Sequence, residues 1–238
     1  MTADAETSQN LVTEGLAGDR PAVGVTPRYN LVAMALHWLI AVAIMIQLAS
    51  GLWMVEAIKG EAYQTLAYDT YQWHKSLGLT VLVLSILRLA WRLLNRPPAL
   101  PDRMKPWERV AAHGTHWAFY GFMIGAPLTG WAMVSASPWD LPTIWFGLFE
   151  VPHIAPLYAI DEGAKEGVEA GFKLSHEIMG KLGLALLVLH VAAALKHQFI
   201  AKDQLMWRMV PSVFGGPKGN GRGAVDAAPA VAGSGEEK

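Results

Sequence analysis

The chain has 238 residues, of which 53% are hydrophobic and only 16% charged, where an ordinary soluble domain carries about 25% charge. Its mean hydropathy is +0.26, and the apolar residues are bunched into runs with the charges in the gaps, the pattern of a polytopic membrane protein. A formal net charge of -1 excludes a strongly basic nucleic-acid binder, and the absence of cysteine excludes disulfides, iron–sulfur clusters, thiolate zinc sites and thioether-attached haem.

Residues 1–28 carry Asp4, Glu6, Glu14 and Asp19 and no apolar run, so they read as a polar, disordered tail and not as a signal peptide. From Tyr29 to Val55 there is no Asp, Glu, Lys or Arg, which exceeds the roughly 20 residues needed to cross a bilayer. The first span is predicted over 31–54. The second is predicted over 74–95, with Arg88 and Arg92 near its end, and the third over 110–135, inside a charge-free run from Val110 to Trp139. The fourth, over 174–200, has Glu177, Lys181 and Lys196 near its ends, where long side chains reach the headgroups. The tail 213–238 is rich in Gly and Ala and is expected to be disordered; its Gly219, Gly221 and Gly223 lack the preceding strand of a phosphate loop. The fold class expected is all-α, a four-helix transmembrane bundle in the lipid bilayer comprising residues 29–212.

Orientation follows from charge. Arg92, Arg96, Arg103, Lys105 and Arg109 crowd the link between the second and third spans, and Arg20, Arg28, Lys196, Lys202 and Arg208 lie on the same side. By the positive-inside rule that side is cytoplasmic, and both N and C termini are cytoplasmic with it. The opposite side, residues 55–73 and 136–173, holds three lysines (Lys59, Lys165, Lys173) against nine acids. The near-zero net charge therefore resolves into a basic inner face and an acidic outer one.

With no cysteine, a metal has to be held by His, Met or carboxylate, so the depths of the histidines matter most. A helix rises about 1.5 Å and turns about 100° per residue. His176 and His190, fourteen apart in sequence, then project from nearly one face of the fourth span at depths roughly 21 Å apart. The same interval relates His74 to Arg88, His37 to Gly51 and His116 to Gly130. The outer level contains His74, His176 and two glycines; the inner level contains His37, His116, His190 and Arg88. Two sites bordered by imidazoles, glycines and a guanidinium suit haem b, whose iron accepts two neutral imidazoles and whose propionates pair with arginine. Gly78 and Gly180, each one turn beyond an outer histidine, are where a porphyrin edge would lie. His113 with His116 reads first as a packing or hydrogen-bonding pair, His153 and His197 as boundary residues, and Trp38, Trp73 and Trp117 as interfacial aromatics. His176-Glu177-Ile178-Met179-Gly180 opens like a zinc-protease motif but lacks its second histidine.

The segments Leu36-His37-Trp38, Trp73-His74-Lys75-Ser76-Leu77-Gly78, Ile86-Leu87-Arg88-Leu89, His113-Gly114-Thr115-His116, His176-Glu177 and Leu189-His190-Val191 together resemble the bacterial cytochrome b561 family, four-helix di-haem cytochromes of the inner membrane that include a superoxide-oxidising, ubiquinone-reducing member. The resemblance implies two haem b groups, with His37 and His190 on the inner iron and His74 and His176 on the outer one, and Arg88 beside a propionate. His116 is left without iron. It also implies a quinone-linked oxidoreductase of the respiratory chain, with ubiquinone as acceptor and superoxide or a basic periplasmic electron-donor protein as source. The acidic outer face departs from the positive surface expected to collect an anion. Two other classes compete with this reading: a haem b anchor subunit of a hydrogenase or formate dehydrogenase, and a transporter whose histidines carry a metal ion or protons.

Overall fold

The computed structural model describes residues 28–100, 104–203 and 205–211. The tails expected at 1–28 and 213–238 lie, apart from Arg28, outside the described residues, as do Arg20 and Arg103. Four long helices dominate: α1 (Leu31–Ala57), α2 (Gln64–Leu94), α3 (Pro106–Ser135) and α4 (Glu162–Leu195). Helix is what an apolar chain must form in lipid, where each backbone N–H and C=O needs an internal partner.

The ends are set locally. Asn30 caps α1 by accepting from the Ala33 N–H at 2.9 Å, an ordinary N-cap contact. Asn95 leaves the helical region at φ -124° and ψ 110°, as a residue two before the Pro97-Pro98 pair readily does. Pro106 opens α3, where its missing N–H costs nothing, and Glu108 reaches back to the Lys105 N–H at 3.2 Å. At their outer ends α2 and α4 start ten and twelve residues before the spans expected from hydropathy.

Among the described residues three helices are long and apolar enough to cross a membrane: α1, α2 with the turn preceding it, and α4 with its continuation to Ala201. Helix α3 falls short in hydropathy, since His113, His116, Trp117, Tyr120 and its glycines dilute an otherwise charge-free run. The buried core lies between α1, α2 and α3, at Ile40, Ala43, Ile44, Val81, Tyr120 and Met123. Within the bilayer-length part of α4 only Gly183 is buried, while Leu182, Val188 and Leu189 are exposed, as are Leu39, Val42, Met45 and Ile46 of α1. An apolar belt of this extent needs lipid around it.

The outer segment between α3 and α4, for which no strand was expected, contains a hairpin: β1 (Thr143–Trp145) pairs antiparallel with β2 (Phe149–Val151). Its turn has positive φ at Phe146 (46°) and Gly147 (77°), as in primed hairpin turns. A phenylalanine resists that conformation, and α2 holds it there: the Phe146 N–H donates to Ser76 Oγ at 3.0 Å and its ring meets Trp73 at 5.2 Å. Lys75 Nζ donates to the Pro142 carbonyl at 2.6 Å and Trp145 Nε1 to Thr80 Oγ1 at 3.1 Å, so the hairpin is pinned over the outer end of α2.

At the inner end α4 passes into a π-helical turn at Lys196–Ala201, and Lys202 adopts φ 52°. Lys196 reaches Glu108 of α3 at 2.9 Å. The segment Leu205–Pro211 then crosses back: Trp38 Nε1 donates to the Met209 carbonyl at 2.8 Å, and the buried Arg208 donates to the Ala99 carbonyl at 2.6 Å.

Candidate functional site

At the outer level the rings of His74 (α2) and His176 (α4) face each other with centres 6.2 Å apart and planes at 80°. Helices α1 and α3 supply their surroundings. Nδ1 of His74 lies 3.1 Å from Ser50 Oγ, and that hydroxyl already donates to the Gln47 carbonyl at 3.2 Å. With its proton on that carbonyl, the Ser50 oxygen is free to accept from a hydrogen on His74 Nδ1. His176 Nδ1 lies 2.9 Å from the Ala126 carbonyl, an acceptor only, and 3.3 Å from Thr129 Oγ1. Thr129 in turn donates to the same carbonyl at 2.8 Å. His176 therefore carries hydrogen on Nδ1, and His74 has an oxygen placed to accept one from the same atom, which leaves the Nε2 lone pair for a metal.

Glycine makes this approach possible. A Cβ at Gly51 would stand 3.2 Å from His74 Cε1, and one at Gly130 would stand 3.1 Å from His176 Cε1, so each ring lies against bare backbone. Gly78 differs from its expected use: the space beside it is taken by Gln47 Nε2, which donates to the His74 carbonyl at 3.0 Å. Gly180 has nothing within 4 Å of a Cβ position.

At the inner level His190 of α4 stands between two partners. Its ring centre is 6.3 Å from that of His37 on α1 and 6.4 Å from that of His116 on α3. Phe119 packs on it at 5.2 Å. Arg88 Nη1 lies 3.1 Å from His37 Nδ1, which brings the guanidinium to the level where its spacing from His74 put it. His113 Nδ1–H donates locally to the Arg109 carbonyl at 2.8 Å, and His197 pairs with Asp203 at 2.5 Å. His153 stacks on Tyr158 in the outer region, ring centres 5.0 Å apart.

These separations test the cofactor. An imidazole nitrogen binds a metal at about 2.0–2.1 Å, so facing rings with centres 6.2–6.4 Å apart would leave room for one iron between them. The outer pair fits, in distance and in tautomer. The inner level fits in distance for either His37 or His116 with His190. Among the described residues no group of three or more His, Asp or Glu stands close enough to hold a bare metal ion. Sequence reasoning missed Gln47, Ser50 and Thr129. Their signal was present in the dipeptides Ser50-Gly51 and Thr129-Gly130, which recur one residue before the glycines already assigned to this depth.

Comparison with known proteins gives the same direction. Residues 28–212 match the family described as prokaryotic cytochrome b561. Cytochrome b561 homolog 2 of Escherichia coli (strain K12) is 32% identical over 184 residues, covering 77% of this chain and 91% of the relative. The probable superoxide oxidase CybB of Yersinia pestis is 27% identical over 190 residues, 79% of this chain and 98% of that one. Cytochrome b561 homolog 1 of Escherichia coli (strain K12) is 26% identical over 186 residues, 77% and 97% of the two chains.

Proposed function

The chain belongs to the prokaryotic cytochrome b561 family, which makes it a bacterial membrane cytochrome that binds haem b, and from that premise we propose that it carries two haems and passes electrons to a quinone. The di-haem unit is residues 29–212, four membrane-crossing helices of the inner membrane with both termini in the cytoplasm. His74 and His176 bind the outer iron and His37 with His190 the inner one. The observation that supports this most is the pair of facing imidazoles at each of two levels, 6.2 Å and 6.3 Å between ring centres.

Bound haem supplies one-electron storage at each level. The protein's part is to hold the rings, exclude water and set the direction. Two superoxide ions would give two O₂ and two electrons at the outer face, and ubiquinone would take those electrons with two protons near the inner level to give ubiquinol. Arg88 has one adjustment to make. A guanidinium only donates, so in its contact His37 Nδ1 accepts and hydrogen sits on Nε2; ligation through Nε2 needs Arg88 to leave Nδ1, which frees it for a propionate.

A second donor is favoured by the charge of the outer face. Lys59 is paired with Glu56 at 2.8 Å and Lys165 with Glu162 at 2.7 Å, so two of the three outer lysines are already matched by acids. A basic periplasmic protein would suit that surface better than an anion.

The experiment is a reduced-minus-oxidised spectrum with a haem count, followed by stopped-flow reduction by superoxide at several ionic strengths. Two haems per chain, reduced by superoxide at a rate that does not fall steeply with salt, is the expected result. Reduction only when an iron–sulfur subunit co-purifies would replace this reading with the hydrogenase or formate dehydrogenase anchor.

A further inference from the structure

The two halves of the bundle repeat one layout. His37, Gln47, Ser50 and Gly51 of α1 correspond, at a single offset along the chain, to His116, Ala126, Thr129 and Gly130 of α3. His74 and Arg88 of α2 correspond in the same way to His176 and His190 of α4. The contacts repeat with the residues. In each half a hydroxyl donates to the backbone carbonyl three residues earlier, Ser50 to Gln47 and Thr129 to Ala126. That hydroxyl then faces Nδ1 of the histidine on the neighbouring helix, at 3.1 Å and 3.3 Å. The next residue is the glycine against which the ring lies, Gly51 and Gly130.

The outer level is closely matched in its two halves: His74 Nδ1 faces the Ser50 hydroxyl, and His176 Nδ1–H is shared between the Ala126 carbonyl at 2.9 Å and the Thr129 hydroxyl at 3.3 Å. The inner level is not. Where α4 has His190, α2 has Arg88, a guanidinium with no acceptor to offer, which stands 3.1 Å from His37 Nδ1 and would stay at the inner level on leaving that nitrogen for a propionate. An Nδ1–H donated to oxygen makes imidazole a more basic ligand and so favours the ferric iron, while a nearby cation favours the ferrous one.

We propose that Ser50 and Thr129 are positioning residues that hold the outer imidazoles with Nδ1–H on oxygen and so set the outer haem at a lower potential than the inner haem beside Arg88. The broken symmetry of the repeat then drives electrons from outer to inner. This rests on the di-haem reading above.

The test is a potentiometric titration of the purified full-length protein followed at the haem absorption bands. The wild type shows two waves. Ser50→Ala and Thr129→Val keep both haems, raise the lower wave and leave the higher one in place, and Ser50→Thr and Thr129→Ser, which keep the hydroxyl, return it to the wild-type position. Two retained haems with an unmoved lower wave, or movement of the higher wave instead, overturns the proposal. If Thr129→Val sheds the outer haem, Thr129→Ser must retain it at the wild-type potential; loss there too overturns the proposal. A wild type with fewer than two haems overturns the di-haem reading itself.

Discussion

Arg88 and His37 meet at 3.1 Å, guanidinium nitrogen to Nδ1, and only one of the two can be the donor. The contact places a permanent cation among the inner imidazoles, on the helix face that fourteen residues earlier carries His74. A unit charge about 10 Å away at an effective dielectric near 20 is worth about 1.7 kcal/mol. Replacing Arg88 with Met should therefore lower the inner haem's midpoint on the order of 70 mV, taking about 59 mV per tenfold change for one electron. The outer midpoint should not move. An unchanged inner wave in a variant that still holds two haems would show that Arg88 does not act on that iron.

The inner ligand pair is open to direct measurement, because His190 stands almost equally far from His37 and His116. His176→Ala should leave one haem per chain, His190→Ala should remove the other one, and His116→Ala should keep both. A haemochrome count reads this. If His116→Ala loses haem as His190→Ala does, the inner pair is His116 with His190.

Helix packing gives a prediction independent of cofactor chemistry. A Cβ at Gly183 of α4 would run into the Phe122 ring of α3, whereas Gly121 of α3 has nothing within 4 Å. Overpacking of this kind costs about 1–3 kcal/mol, and about 2–4 °C of Tm goes with each kcal/mol in a chain of this size. Gly183→Leu should lower the melting temperature in detergent by roughly 3–10 °C, with Gly121→Leu close to wild type. Equal losses at both positions would remove the Phe122 contact as the reason.

The tie between α3 and α4 at the inner face should depend on pH. The hydrogen-bonded Lys196 ammonium, and next the Lys105 N–H, hold the Glu108 carboxyl below the usual carboxylate range. A depressed folded-state pKa contributes stability in full above the unfolded value of about 4.3 and loses it as pH falls through the folded value. Glu108→Gln should thus melt below wild type at pH 7, and the gap should close below about pH 4. The effect is small, since solvent screens a surface pair. A gap that stays constant from pH 7 to pH 3 in thermal melts would be evidence against the ion pair.

Run length, charge bias and helical spacing are local properties, and they indicated a mostly helical chain and two depths of histidine, but not the outer starts of α2 and α4 or the weaker hydropathy of α3. They could not give the hairpin at 143–151, because three-residue strands carry too little alternation to register, although Phe146-Gly147 between β-formers was a turn signal. Nor could they give the contacts of Ser50 and Thr129. A helix that is apolar on every side, as α1 is over Leu31–Ala57, carries no stripe that fixes its rotation.

The sequence by itself determined the solvent of this protein, the absence of thiolate chemistry and the levels at which imidazoles occur, since each follows from composition or from 1.5 Å of rise per residue. Only the tertiary structure decided which helix faces which: that α1 and α3 bring a hydroxyl and a glycine to each outer ring, and that Arg88 turns toward His37. Those are relations between separate helices, fixed by how side chains and backbones pack across the bundle, and no periodicity within one helix contains them.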